Sequence, residues 1–170
     1  MGHMAISHGQ PLLLLLLVST SFLPAALGSS AGFINCDRPF DYPVVVNTVD
    51  ISPDTITRTT NANITITGDT SIDIHNGTTV ELRLWSGLFE AIRTYPSCDI
   101  MACPVKPGPI VLTFSNVFTQ EELIPRRYEF GIGIRGKDEG KLRYMPQIMC
   151  IEFFCSISGR DTSLLRQVTE

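Results

Sequence analysis

The sequence predicts an all-β protein, an antiparallel β-sandwich, and two observations carry this prediction. Apolar residues alternate with polar ones along several segments, as in strands with one buried face and one solvent-facing side. Turn sequences such as Ser52-Pro53-Asp54 and Pro107-Gly108-Pro109 separate the segments, at the roughly 8–12-residue spacing of a sandwich. Only residues 163–167 suggest a helix, and we expect them to fray because they lie near the chain end.

The first segment predicts a secretory signal peptide. Residues 1–31 contain no Asp, Glu, Lys or Arg, and they include an apolar run over residues 12–18. That run is shorter than the ~20 residues of a membrane span but suits the core of a signal peptide. Small residues allow cleavage after Gly28 or after Ala31, and we take the second.

The predicted organisation is therefore a signal peptide (1–31), one domain (32–158) and a flexible tail (159–170). We expect the protein in the secretory pathway, either outside the cell or in an endolysosomal or vacuolar lumen. The chain has 13 Lys and Arg residues and 17 Asp and Glu residues, which gives a net charge of −4. Because nucleic acids bind basic surfaces, we expect no nucleic-acid partner. Charged residues make up 18% of the chain, below the ~25% of an average domain, which indicates that apolar surface is hidden.

Catalytic and metal sites are not expected. Once the signal peptide is removed, His75 is the one remaining histidine, which excludes zinc sites built on several histidines. Because His75 lies on the polar side of an alternating segment, beside a predicted Asn76-Gly77 hairpin turn, we expect it to be a surface residue. The sequence has no phosphate-binding glycine loop and no paired-cysteine metal motif. We predict a protein that is not an enzyme and has neither metal nor cofactor.

Five cysteines follow the signal peptide, so an oxidising compartment leaves one of them unpaired. Cys98 and Cys103 are close enough in sequence to close a small loop. A bond from Cys36 to the last strand would close a far longer loop, which the chain-entropy model values at ~4–5 kcal/mol. The local sequence does not choose between Cys150 and Cys155 as its partner.

Two sequons predict N-glycosylation, at Asn63 in Asn63-Ile64-Thr65 and at Asn76 in Asn76-Gly77-Thr78. The strand pattern places Asn63 on an outward face, and Asn76 lies in a turn. We expect at least one of the two asparagines to carry a glycan.

Several motifs occur together in one order: Asn35-Cys36-Asp37, then Ser52-Pro53-Asp54, then residues 98–105 with their cysteines Cys98 and Cys103, and finally Cys150-Ile151-x-Phe153. Together they resemble the ML lipid-recognition domain, in the branch of Niemann-Pick type C cholesterol carriers and phosphatidylglycerol/phosphatidylinositol transfer proteins. The resemblance covers residues 33–158. It implies an immunoglobulin-like β-sandwich with a lipid cavity between its two sheets.

The resemblance also implies the disulfide pairing, Cys36 with Cys150 and Cys98 with Cys103. Cys155 would then be a buried free thiol at a position where the family usually has an inward-facing aromatic residue.

The inward-facing stripes of the strands would together line the cavity, although core packing is the default explanation for any single residue among them. The predicted lining is Leu82, Leu84, Leu112, Phe114, Phe130, Ile132, Phe153 and Ile157. The family's cavity entrance corresponds to Phe89, Ile92, Ile124 and Tyr128. We expect Arg126 and Arg127, beside it, to meet anionic headgroups.

Two departures from the family pattern concern the strands around the entrance. Pro125-Arg126-Arg127-Tyr128 lacks the glycine of the usual Pro-x-Gly-x-Tyr, and residues 141–149 are about twice the usual length of this connection. Because Pro146 cannot donate a ladder hydrogen bond, we predict a bulge or loop where the last strand begins.

We therefore expect a monomeric, non-enzymatic carrier that holds a sterol or phospholipid and contacts membranes transiently. The alternative is an extracellular recognition module, like the family's innate-immune co-receptors, that uses its bound lipid to engage a receptor.

Overall fold

The computed structural model describes residues 28–36, 41–136 and 147–159. The apolar run at 12–18, the candidate helix at 163–167 and residues 141–146 lie outside these ranges. Within the described ranges, no helix is long and apolar enough to span a membrane.

The described chain forms nine strands and one short helix in sequence order. They are β1 (Ser29–Ser30), β2 (Phe33–Asn35), β3 (Val44–Ser52), β4 (Asn63–Thr70), β5 (Thr79–Ser86), β6 (Phe89–Pro96), α1 (Ser97–Ile100), β7 (Gly108–Phe114), β8 (Arg127–Arg135) and β9 (Gln147–Ser156).

The strands make two antiparallel sheets, which confirms the predicted sandwich. One sheet has four strands in the order β1-β3-β4-β7, and the other has five in the order β2-β9-β8-β5-β6. Strands β6 and β7 are consecutive along the chain but lie at the edges of different sheets. Among the described residues, no backbone hydrogen bond joins these two strands.

The predicted apolar stripes face the space between the sheets. All eight residues predicted to line a cavity are buried, and the most exposed of them, Ile157, has only 4% of its surface accessible to solvent. In the five-stranded sheet, strand pairing places Leu84 beside Phe130 and Phe130 beside Phe153. Burying a large apolar side chain contributes ~1.5–3 kcal/mol, so these stripes supply much of the driving force for folding.

The segment between β4 and β5 differs from the prediction. The Asn76-Gly77 turn does not close a hairpin, because β4 and β5 belong to different sheets and the chain crosses between them here. Ile74 is buried in this crossing and pairs with Val105 through an isolated bridge. His75 is exposed, as expected. An Asn-Gly pair marks a tight turn but does not specify which strands it connects.

The disulfides agree with the family pattern: Cys36 is bonded to Cys150, and Cys98 to Cys103. Cys155 is a buried free thiol, as expected. The four-residue helix α1 begins just before the loop closed by Cys98 and Cys103 and extends into it, although no helix was predicted there.

The start of β9 is irregular, which confirms the bulge expected near Pro146. Ile134 pairs with Met149, but the next residue of β8, Arg135, pairs with Gln147. The extra residue in β9 shifts the register before the strand reaches Cys150.

Candidate functional site

The core between the two sheets is the candidate site, and the side chains buried there are apolar. Phe130 and Phe153 stack with ring centroids 5.2 Å apart. Leu112 and Phe114 of β7 are buried in the same core from the other sheet. The structure thus gathers the predicted lining residues into one apolar core.

A chain of aromatic side chains connects this core with the molecular surface. Half-buried Phe89 contacts Tyr128 at 6.0 Å between ring centroids, and Tyr128 contacts Phe118 at 5.1 Å. Phe118 in turn contacts Phe130 at 5.6 Å, and Phe130 stacks on Phe153. We call these five residues the aromatic passage. Sequence analysis missed Phe118, because it lies in the loop between β7 and β8, outside the alternating pattern.

Tyr128 lies deep in the passage rather than at its rim, since only 1% of the residue is exposed. Its hydroxyl donates a hydrogen bond to the backbone carbonyl of Glu122 at 2.6 Å. Burial raises the pKa of the Tyr128 phenol, so the group stays protonated and keeps this donor.

Arg126 covers the outer end of the passage. Its guanidinium carbon lies 5.9 Å from the ring centroid of Phe89 and 5.6 Å from that of Tyr128. Contacts of this kind contribute about 0.5–1 kcal/mol at exposed sites, so the cover is weakly held.

Arg127 points away from the passage, to the outer face of the five-stranded sheet. Its guanidinium carbon lies 3.9 Å from the ring centroid of Phe154, a side chain that is also exposed. Successive residues of a strand face opposite sides, so the two arginines predicted to act together serve two different surfaces.

The other two predicted entrance residues lie apart from the aromatic passage. Ile92 is 53% exposed and pairs with exposed Arg83, on the outer face of the sheet. Because it is three residues from Phe89, strand alternation places the two side chains on opposite faces. Ile124 is half-buried in the loop before β8, where its backbone N–H donates to the carbonyl of Glu122.

An ion pair missed by sequence analysis closes the open edge beside the passage. Arg93 of β6 bonds both carboxylate oxygens of Glu122, in the loop between β7 and β8. Arg93 also donates to the carbonyl of Val117, and the N–H of Thr119 donates to Glu122. Strand alternation with Phe89 could have shown that Arg93 faces inward and requires a partner, but not that the partner is Glu122.

Residues 30–157 match the family model of the ML domain. The match runs from the end of β1 through β9, so it spans both sheets and the aromatic passage. The chain belongs to the ML domain family.

Two curated proteins of Arabidopsis thaliana are similar to this ML domain protein. It is 46% identical to MD-2-related lipid-recognition protein ROSY1, over 98% of this chain and 100% of that one. It is 39% identical to MD-2-related lipid-recognition protein 3, over 59% of this chain and 61% of that one.

This ML domain also has a surface groove of about 670 Å³ beneath the Cys98–Cys103 loop. Ile100, Met101 and Val105 line it, together with outward-facing Val111 of β7. None of the residues predicted to line the lipid cavity belongs to it. Buried Ile110 and Met101 belong both to the groove lining and to the core, so the groove borders the core without including the predicted cavity lining.

Both sequon asparagines of the ML domain are exposed, Asn63 at the start of β4 and Asn76 in the crossing between sheets. The side-chain oxygen of Asn63 accepts a hydrogen bond from the N–H of Asn116. Glycosylation at either asparagine stays a prediction.

Proposed function

We propose that this ML domain is a non-enzymatic carrier that holds the hydrocarbon part of a sterol or phospholipid between its two sheets. The observation that carries the proposal is the aromatic passage, a row of contacting rings that runs from the surface to the apolar core. Exposing a hydrocarbon chain to water costs ~0.8 kcal/mol per CH₂ group, so a fatty tail needs an enclosed apolar environment outside the membrane. The names of the two relatives support lipid as the ligand class.

The edge between β6 and β7 is where the lipid would enter. Side-chain contacts close this edge: Arg93 of β6 pairs with Glu122 in the loop after β7, and Tyr95 of β6 contacts Phe114 of β7 edge-on at 5.9 Å between ring centroids. Separating the sheets along this edge breaks no strand ladder. Elsewhere in each sheet, neighbouring strands are held by continuous backbone pairing.

The end of the sandwich next to the passage is the proposed membrane-contact surface. Leu88 is fully exposed at the tip of the turn between β5 and β6. Arg126 covers the passage nearby, and Arg127 lies over exposed Phe154. Each basic residue near an anionic membrane contributes about 1 kcal/mol, which suits brief rather than permanent contact.

The secretory pathway is the proposed location. The Cys36–Cys150 and Cys98–Cys103 disulfides support it, because such bonds persist in oxidising compartments.

The proposal is tested by identifying lipids that co-purify with the mature protein, and by transfer of fluorescent sterol and phosphatidylinositol between vesicles. We expect both signals for the wild type. Phe130→Asp places a charge inside the core and should abolish loading. Val111→Asp adds the same charge at an exposed strand position and should preserve it.

Arg127→Ala should slow exchange with anionic vesicles more than with neutral ones. A wild-type protein with no co-purifying lipid and no transfer above blank would refute the carrier proposal. Bound lipid with no exchange, together with a stable receptor complex, would favour the recognition module instead.

A further inference from the structure

Trp85 forms a fixed aromatic surface on the outer face of the five-stranded sheet. It is the single tryptophan of the chain. Its indole N–H donates to the carboxylate of Glu129 at 2.8 Å, which fixes the orientation of the ring. A Cβ atom at Gly131 would lie 3.1 Å from the indole, so the absence of a side chain there allows the ring to lie against the sheet.

Two shallow hollows lie on either side of Trp85. One has a volume of about 200 Å³ and is lined by Glu81, Arg83 and Arg135, among others. The other has a volume of about 220 Å³ and includes Ser86, Glu129, Arg127 and Phe154, the last two of which also belong to the proposed membrane-contact surface. Each is smaller than the ~300–1,000 Å³ pocket of a drug-sized ligand. Each hollow therefore suits one small ring, and the pair suits rings joined in a chain across the indole.

The first hollow is lined by two acidic residues, Glu81 and Glu152, and two basic residues, Arg83 and Arg135, so its formal charges cancel. Glu81 accepts from Arg83 at 2.5 Å and from Arg135 at 3.2 Å. An anionic ligand would meet the carboxylate of Glu81, and a cationic ligand would meet the two guanidinium groups. A neutral ligand whose hydroxyls both donate and accept can bond with either kind of group.

Arg135 has a donor that no described residue uses. Its Nε atom is buried and has no hydrogen-bond partner among the described residues. A buried donor without a partner is costly, and such groups indicate a missing water or ligand.

We propose that the outer face around Trp85 binds a neutral oligosaccharide. One sugar ring would stack with its C–H face on the indole, because the negative face of an aromatic ring attracts C–H groups. Its hydroxyls would bond with Glu81, Arg83 and Arg135. This surface is separate from the apolar core, since Leu84 and Phe130 face the opposite side of the same strands, but it adjoins the proposed membrane-contact surface at Arg127 and Phe154.

The test is a titration of the mature protein with cellotetraose, maltotetraose and mannotetraose, with myo-inositol and heparin for comparison. The emission of Trp85 reports on this surface alone, because the chain has no other tryptophan. Calorimetry with the same probes detects binding that leaves the emission unchanged. We expect saturable binding of at least one neutral tetrasaccharide.

Variants locate the binding site on the surface. Arg135→Ala and Arg83→Ala should weaken binding about tenfold, as expected for loss of one charge-assisted hydrogen bond. Lys106→Ala, at an exposed ion pair with Asp73, is the matched control and should bind as the wild type. Trp85→Ala should abolish the calorimetric signal, with circular dichroism confirming the fold.

Three outcomes would overturn the proposal. One is no binding of any tetrasaccharide by either method. Another is binding of heparin alone, which would indicate an anion site. The third is a response only to vesicles containing phosphatidylinositol, which would assign this face to a membrane. Lipid extraction and transfer are measured separately, so failure here leaves the carrier proposal standing.

Discussion

Arg93 of β6, an edge strand of the five-stranded sheet, forms an ion pair with Glu122 in the loop that follows β7, the edge strand of the other sheet. The Nη2 atom of Arg93 lies 2.5 Å from each carboxylate oxygen of Glu122, and its Nη1 atom donates to the carbonyl of Val117 at 3.0 Å. Glu122 is only 7% exposed, so water competes weakly for this pair. The pair therefore holds closed the edge through which a lipid would pass.

Glu122→Ala should lower the free energy of unfolding by about 2–4 kcal/mol, because it leaves the mostly buried Arg93 guanidinium without its partner. It should also speed lipid exchange, since the β6–β7 edge loses its main polar contact. Urea unfolding measures the first effect and vesicle transfer the second.

Asp73→Ala is the matched control for that substitution. It breaks the exposed pair with Lys106, and exposed ion pairs contribute only ~0–1 kcal/mol. Equal, small losses for the two variants would contradict the role assigned to Glu122.

The two disulfides should differ in their contribution to stability. Cys36 and Cys150 are 114 residues apart, whereas Cys98 and Cys103 are 5 apart. On the chain-entropy model, replacing the first pair with serines costs about 4–5 kcal/mol and replacing the second about 2 kcal/mol. Denaturant unfolding of the two double variants checks this order, and the reverse order would contradict the model for this protein.

The inward stripes were predictable because alternation is a local property of a strand. A run such as Val80, Leu82 and Leu84 indicates which side chains lie on the same face of a strand, even when the partner strand is not known. The same rule places Phe89 and Ile92, three residues apart, on opposite faces of β6. Assigning both of them to the entrance was therefore inconsistent with the strand pattern.

Other features depended on contacts distant in sequence. Arg93 meets Glu122 across 29 residues, and Phe118 joins the aromatic passage from an irregular loop. No local pattern indicates such partners. Likewise, the residues Asn76-Gly77 were enough to predict a turn, but they did not indicate that the turn lies where the chain crosses from one sheet to the other.

The mature chain should begin at Ser29, not at Gly32 as cleavage after Ala31 would give. Ser29 pairs with Ile51 in the four-stranded sheet, and the N–H of Ala31 donates to the carbonyl of Val49 at 2.7 Å. Cleavage after Gly28 keeps these contacts, whereas cleavage after Ala31 removes them. N-terminal sequencing of the secreted protein decides between the two sites, and a chain starting at Gly32 would contradict this prediction.

The Cys155 thiol should be unreactive in the native protein, because burial raises its pKa from 9.0 to about 12 and only the thiolate is nucleophilic. At pH 8 a disulfide reagent should label it only after denaturation. The unfolded thiol ionises near pH 9 while the folded thiol keeps its proton. Its contribution to stability is therefore complete below pH 9 and is lost as the pH rises towards 12.

Cys155→Ala should therefore make this alkaline decline shallower, by at most ~1.4 kcal/mol per pH unit for one proton. The raised pKa of the Tyr128 phenol acts in the same direction, so the difference between wild type and variant isolates the thiol. Unfolding measured between pH 8 and 11 gives both slopes. Identical slopes, or rapid labelling of the native protein at pH 8, would mean that Cys155 is accessible to water, and the wall formed by β8 and β9 would then not be closed at this position.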